Sequence, residues 1–329
     1  MLGIALLIAA ALTASCESHH PARIQRGSSC PDLDANGNYD GEPLVVLHAG
    51  SLARPMHAAL DSFKAMCGVP VVTLSAGSVE AARRIIDLHD VPDIIAVADE
   101  EVFPSLLMPR YVASYTTFAR NRMVIAHARD RPQSGALDST NWYRVLSAAG
   151  VEVGRSDPNL DPAGYRTLMV LRLAERFYHD TGIARAVLAR SASGNVRPKS
   201  ADLTALIETG ALDYAFVYES VARSAKLSWI PLPASIDLGD DSLASAYARV
   251  SVRIAGRAKG DSITIVGAPI RYALAVPKGA PHPAAARQLE HFLLSLGGAT
   301  AMSAAGLDLV RPAIFGAPDS ILGLPSQTP

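Results

Sequence analysis

The chain has 329 residues, a length that points to two domains, and a formal net charge of −1 at pH 7. Half of it is apolar and few residues are aromatic, the make-up of an ordinary globular protein with a large core. No basic patch or arginine–aromatic run is present, which excludes the usual signature of a nucleic-acid partner. Any anion site must therefore be built from aimed dipoles rather than bulk positive charge.

Residues 1–15 read as a signal peptide of the lipoprotein type. The apolar run from Leu2 to Ala14 is too short for a membrane span. It ends in Leu12-Thr13-Ala14-Ser15-Cys16, which places the lipidated residue at Cys16. No Lys or Arg precedes the run, so plain secretion with cleavage near Ser15, or a buried core helix, stays open. Residues 16–43, polar and rich in Gly and Pro without helical or strand period, read as a flexible tether. Within it, Asp32 to Asp40 imitates a calcium loop, but the position that needs a bidentate glutamate is Pro43. If Cys16 carries lipid, Cys30 and Cys67 could pair in an oxidising compartment. No Cys/His cluster has zinc spacing.

From residue 44 the pattern alternates. Strands are predicted over 44–48, 69–74 and 93–98, and helices over 53–66 and 79–88, with Gly68 ending the first helix. This β-α-β-α-β order implies a mainly parallel sheet with ligands at the strand C-terminal ends. Ala-Gly-Ser stands at two of those ends, as Ala49-Gly50-Ser51 and Ala76-Gly77-Ser78. Glycine permits close approach of the backbone. Serine offers a hydroxyl, and the N–H groups of a helix start attract anions. Two such corners side by side would cradle a small oxyanion. The competing reading is that both serines are only helix N-caps. Further strands are predicted over 123–128, 214–218 and 270–276, the last crossing back between lobes, with helices near 164–178, 201–209 and 284–296. This gives lobe 1 as residues 44–121 plus 277–329 and lobe 2 as residues 122–276, joined by short crossings.

Six stretches, in order, carry a resemblance. They are HAGSL at 48–52, AGSVEAARRII at 76–86, FARNRMV at 118–124, GRSDPNLDPAGYRTLMV at 154–170, LDYAFVYESVA at 212–222 and IRYALAVPKGAPHPAAA at 270–286. The chain resembles the tungstate/molybdate solute-binding proteins of ABC importers, within the type II periplasmic-binding-protein fold. The resemblance implies two α/β lobes, each a mainly parallel sheet flanked by helices, with the ligand in the cleft. It also implies an extracytoplasmic monomer that needs no cofactor and works with a membrane permease and its ATPase, touching the membrane only through a lipid anchor.

Carried over residue by residue, the resemblance makes Ser51 and Ser78 hydroxyl donors of the first lobe. Ala163, with Gly164 beside it, becomes a backbone donor at a helix start, and Val196 a backbone donor in an Asn-Val-Arg corner. Tyr218 supplies a hydroxyl that closes the shell. Asp161 resembles the aspartate that joins a glutamate in coordinating the metal of the oxyanion, which sulfate's central atom cannot readily accept. The glutamate is missing: where the family has Arg-Pro-Lys-Glu, this chain has Arg197-Pro198-Lys199-Ser200. Ser200 then reads as the N-cap of the following helix, and Glu219 as a nearby but poorly aimed substitute. Without that glutamate, a tetrahedral anion held only by hydrogen bonds is an open alternative, as is a different ligand such as sulfate, phosphate or a small organic acid. A serine hydrolase using Ser51 or Ser78 with His48 or Asp161 is the rival class. It lacks the Gly-x-Ser-x-Gly elbow.

Overall fold

The computed structural model describes residues 30, 41–129, 137–256, 258 and 260–317. The expected signal peptide, Cys16, the calcium-like loop and most of the tether lie outside the described residues. β1 (Leu44–Ala49), α1 (Ala53–Cys67), β2 (Val71–Ala76), α2 (Ser78–Asp87) and β3 (Ile94–Val97) follow in the expected order. Gly68 ends α1 at φ 72°, a left-handed conformation that glycine adopts without strain. β1 lies between β2 and β3, parallel to both. Met56, Ala59 and Phe63 of α1 are fully buried, spaced so that they share one face of the helix. Cys30 and Cys67 are joined by a disulfide with their Cα atoms 5.3 Å apart, tying the end of α1 to the chain before β1.

β4 (Ser114–Asn121) and β5 (Met123–His127) are separated only by Arg122, yet they belong to different sheets. That single residue is the first crossing between lobes. The second lobe then adds α3 (Trp142–Leu146), β6 (Val153–Ser156), α4 (Pro162–Phe177), β7 (Val196–Arg197), β8 (Tyr214–Tyr218) and β9 (Ser228–Pro231). An antiparallel ribbon follows, made of β10 (Ser251–Ala255) and β11 (Ser262–Val266). β12 (Ile270–Ala275) returns to the first sheet, and β13 (Asp308–Gly316) forms its edge after two helices, Pro283–Leu294 and Leu296–Ala304. The sheet orders are β13-β4-β12-β3-β1-β2 and β7-β6-β8-β5-β9.

The two-lobed α/β architecture is as expected, but two details differ. The sheets are mixed rather than mainly parallel: β12 runs antiparallel to β3 and β4, and β5 antiparallel to β8 and β9. These are the strands at which the chain changes lobes, so they enter against the direction of the β-α-β units. Helices cover both sheet faces, so these strands are buried almost throughout and read as the apolar runs typical of parallel strands. Secondly, β12 pairs within the first sheet, so the return crossing precedes Ile270 and falls earlier than the expected boundary at residue 276. Among the described residues, no helix is long and apolar enough to cross a membrane.

Candidate functional site

Neither Ala-Gly-Ser corner uses its serine as an N-cap. In the first, Gly50–Leu52 forms a single 3-10 turn and Leu52 is the residue that precedes α1. In the second, Gly77 is the N-cap and Ser78 is already helical; the Gly77 N–H donates to Glu80 Oε2 at 3.2 Å. Both hydroxyls are instead fixed by tertiary partners. The Ala98 N–H, just past β3, donates to Ser78 Oγ at 2.9 Å. The Tyr272 hydroxyl donates to Ser51 Oγ at 3.0 Å. In each case the serine oxygen accepts, which leaves its own proton to donate.

The direction of the bond to Ser51 is set by a relay. Asn121 Oδ1 accepts from the N–H of Arg122 at 2.9 Å, so its amide nitrogen must face the other way. From there Nδ2 donates to the Tyr272 hydroxyl at 2.8 Å and to Ser220 Oγ at 2.6 Å. Burial pushes the Tyr272 phenol up to about 12, so it stays protonated and passes its hydrogen to Ser51. Asn121 ends β4 at the crossing and Tyr272 lies on β12, so the strands next to the crossings aim the serine. Sequence reasoning passed over both residues.

From the second lobe, Asp161 precedes α4 and is 4% exposed. Its Oδ2 accepts the Ser200 N–H at 2.7 Å. Burial raises its pKa to about 6, against the opposing pull of the Ser200 N–H, the Ser156 hydroxyl, the Ala163 N–H and the Ser200 hydroxyl. Ser156 Oγ itself makes no full hydrogen bond. Ala163 is fully buried beside this carboxyl. Gly164 sits under the 156–158 turn, where a Cβ would lie 2.6 Å from the Ser156 carbonyl oxygen. Ser200 opens a 3-10 turn, Ser200–Asp202, rather than capping it; Lys199 holds the cap position. Tyr218 is fully buried on β8, its ring 6.0 Å from that of Tyr272, and its hydroxyl has no hydrogen-bond partner. Burial and the nearby Asp161 hold that phenol well above its usual pKa.

The structure therefore brings Asp161, Ala163, Ser200 and Tyr218 of the second lobe toward Ser51 of the first, with Ser78 at the neighbouring corner of that first lobe. Val196 does not join them. Its N–H donates to the Ser193 carbonyl, closing a short 3-10 turn, and the residue lines a separate pocket on the second lobe. Glu219 is also turned away, paired with Arg122 and Arg223. His48 engages the Ala49 carbonyl through Nδ1 at 2.9 Å, and its Nε2 has no partner, so it is not hydrogen-bonded to Ser51.

The lobes touch directly. The N–H groups of Val79 and Glu80, in the first turn of α2, both donate to the Leu160 carbonyl of the second lobe, at 3.1 Å each. Gly77 makes this possible, because a Cβ there would lie 2.2 Å from that same oxygen. Behind the cleft, Asp99 after β3 meets Arg166 of α4 across the lobes: Arg166 Nη2 lies 2.5 Å from Asp99 Oδ2, with both side chains 1% exposed. The Tyr165 hydroxyl donates to the same oxygen at 2.7 Å, and Arg166 Nη1 donates to the Ala268 carbonyl at 2.5 Å. Burial acts to lower the Arg166 pKa, but Asp99 and the neighbouring phenols outweigh it and the guanidinium stays charged.

Residues 44–308 match the family of bacterial extracellular solute-binding proteins. The chain belongs to that family. An uncharacterized solute-binding protein of Petrotoga mobilis is 38% identical over 270 residues, spanning 82% of this chain and 84% of its own length. The molybdate/tungstate-binding protein WtpA of Thermococcus kodakarensis is 34% identical over 320 residues, covering 88% and 89%. In fold, this binding protein is similar to the periplasmic molybdate-binding protein of Azotobacter vinelandii, with a TM-score of 0.60 at 19% identity, covering 81% of this chain and 99% of that one. It is also similar to the sulfate-binding protein SubI of Mycobacterium tuberculosis, with a TM-score of 0.58 at 14% identity, covering 82% and 88%.

Chemically, the buried groups described at the cleft of this binding protein are mostly neutral donors, with Lys199 beside Gly50 paired to Asp202. The buried guanidinium, Arg166, is already neutralised by Asp99. What remains is a hydroxyl without a partner at Tyr218, hydroxyl protons at Ser51 and Ser78, and one carboxyl whose pKa is raised. A buried donor left unpaired is costly, and an oxyanion supplies the acceptors that this set lacks.

Proposed function

We propose that the protein binds a tetrahedral oxyanion, molybdate or tungstate, between its lobes as the solute-binding component of an ABC importer. The observation that carries this reading is the fully buried Tyr218 hydroxyl without a partner. It lies beside Asp161 and Tyr272, where the relay from Asn121 directs the Ser51 hydroxyl into the same cleft. The names of the WtpA relatives support the ligand. In this reading the open protein takes the anion onto the corners of one lobe, and the other lobe closes over it. Closure excludes water, which strengthens each hydrogen bond to the charge. The closed protein then delivers its cargo to a permease driven by an ATPase. It works outside the cytoplasm as a monomer, held by lipid at Cys16 or free after cleavage, and without a cofactor.

A second reading, sulfate or phosphate, is favoured by one feature. Ser200 stands where the resemblance calls for a glutamate, and its N–H is spent on Asp161 rather than leaving a second carboxylate in the cleft. Calorimetric titration with molybdate, tungstate, sulfate and phosphate in turn decides between them. Tight binding of the first two with silence from the others supports the proposal. Absence of molybdate and tungstate binding refutes it.

A further inference from the structure

We propose that the second lobe carries another small-oxyanion site, built on Arg155 and Ser191 and separate from the cleft. Successive residues of a strand point to opposite sheet faces. Ser156 on β6 faces Asp161, so its neighbour Arg155 is directed to the other side. There it lines a pocket of about 560 Å³ together with Asp157, Ser191, Ser193, Val196 and Arg197, bordered by Leu160 and Pro198, whose carbonyls meet Gly77 of the first lobe on the cleft side. This is the pocket to which Val196 belongs instead of the cleft.

The polar groups of this pocket are not satisfied by one another. Arg155 Nε is buried without a partner, and the guanidinium makes one long bond, from Nη1 to its neighbour's Ser156 carbonyl at 3.3 Å. Burial lowers the Arg155 pKa, and Asp157 offsets this through space without forming an ion pair. Asp157 is already occupied, its Oδ1 accepting the Asn159 N–H at 2.8 Å. Ser191 is 9% exposed and its hydroxyl has no partner either. Arg197 adds a second positive charge, held in place by bonds from Nη1 to the carbonyls of Gly194 and Val196. A guanidinium with free donors, a buried hydroxyl and an excess of positive over negative side chains is the chemistry that recognises phosphate, sulfate or a carboxylate. A structural arginine would have taken the adjacent Asp157 as its partner. This site does not depend on what the cleft binds.

Inorganic phosphate is the probe. Its binding is followed by calorimetry and by phosphorus NMR on the wild-type protein, on Arg155→Gln, on Ser191→Ala, and on a Ser51→Ala/Ser78→Ala variant that disables the cleft. The expected result is phosphate binding that the cleft variant retains, that Arg155→Gln weakens by about tenfold or more, and that Ser191→Ala weakens several-fold. Ser191→Ala removes one atom and preserves the backbone, so it reads the site even where Arg155→Gln lowers stability. Phosphate binding absent from the wild type, unchanged in both pocket variants, or lost in the cleft variant overturns the proposal.

Discussion

Asp99→Asn isolates what holds the lobes together. Asparagine keeps the shape of the side chain and an oxygen that can still accept from Tyr165; the charge is lost, together with the bond that Oδ1 accepts from the Glu101 N–H within the first lobe. In the closed protein that leaves Arg166, 1% exposed, without its counter-ion. Removing one partner of a buried ion pair costs about 3–5 kcal/mol. When the lobes separate, Arg166 gains water and the penalty disappears. The cost therefore falls on closure rather than on folding, and closure is linked to ligand affinity through the fraction of molecules that can close. Taking about 3 kcal/mol, affinity for molybdate or tungstate should drop about a hundredfold, while the thermal midpoint of the unliganded protein moves little. Calorimetry gives the affinity, and small-angle X-ray scattering with ligand gives the shape. A second substitution, Arg166→Gln in the same chain, removes the stranded charge and should recover a large part of the loss. Should Asp99→Asn bind as tightly as the wild type while melting well below it, the pair stabilises the fold rather than closure, and the reasoning fails.

Three other outcomes follow from the geometry. Tyr218→Phe removes an unsatisfied buried hydroxyl, so the unliganded protein should melt at the same or a higher temperature; oxyanion affinity should fall about tenfold or more, since a hydrogen bond to a charged group contributes about 1.5–3 kcal/mol. Gly77→Ala would push a Cβ to 2.2 Å from the Leu160 carbonyl oxygen, so calorimetry should show weaker binding, with the isolated fold intact by circular dichroism. Folding raises Asp161 from 3.8 to about 6, so across roughly pH 4–6 the folded chain holds a proton that the unfolded chain has released. The Asp161 contribution to unfolding free energy should therefore fall as pH rises through that window, by about 3 kcal/mol in all; burial also raises Asp237, Glu100 and Glu290, which add slopes of the same sign, so denaturant melts of Asp161→Asn should show a shallower fall than the wild type.

Local signals made much of the scaffold legible. Apolar spacing and Gly68 located α1, and the two Ala-Gly-Ser corners were found where strands hand over to helices. Their chemistry was harder to read, because the residue that caps a helix is also the residue that donates to an anion. Neither serine holds its helix's cap position, and each hydroxyl is fixed instead by a distant partner, the Ala98 N–H or the Tyr272 hydroxyl, that no local pattern announces. Asn121 and Tyr272 were invisible for a related reason. They meet because β4 and β12 pair antiparallel, with Ile270 opposite Asn121, and nothing local announces that long-range register. Asp99 and Arg166 lie in different lobes, and as single charged residues they read like any solvated side chain. Val196 shows the converse: its place in an Asn-Val-Arg corner implied a free N–H, but a 3-10 turn at Ser193–Asn195 consumes it.

Asp161 decides how the proposed dianion would be held, because the buried guanidinium of Arg166 is already paired with Asp99. As a carboxylate it repels the ligand, and in the low-dielectric closed state that repulsion is strong. Two chemistries resolve this, and they differ in sign. If the carboxylate bonds to the metal at the centre of the oxyanion, it must be ionised, and affinity falls as pH drops below about 6. If the anion stays tetrahedral and is held only by hydrogen bonds, a protonated Asp161 becomes one more donor, and affinity rises over the same interval. Ser200 bears on the choice. Its N–H and hydroxyl both favour the ionised form of Asp161, yet burial outweighs them and leaves the carboxyl poised to titrate. A second carboxylate at residue 200 would raise that pKa further through like-charge repulsion unless a metal centre engaged both. Ser200→Glu should accordingly steepen the loss of affinity at low pH if coordination operates, and should weaken binding at every pH if hydrogen bonds alone hold the anion.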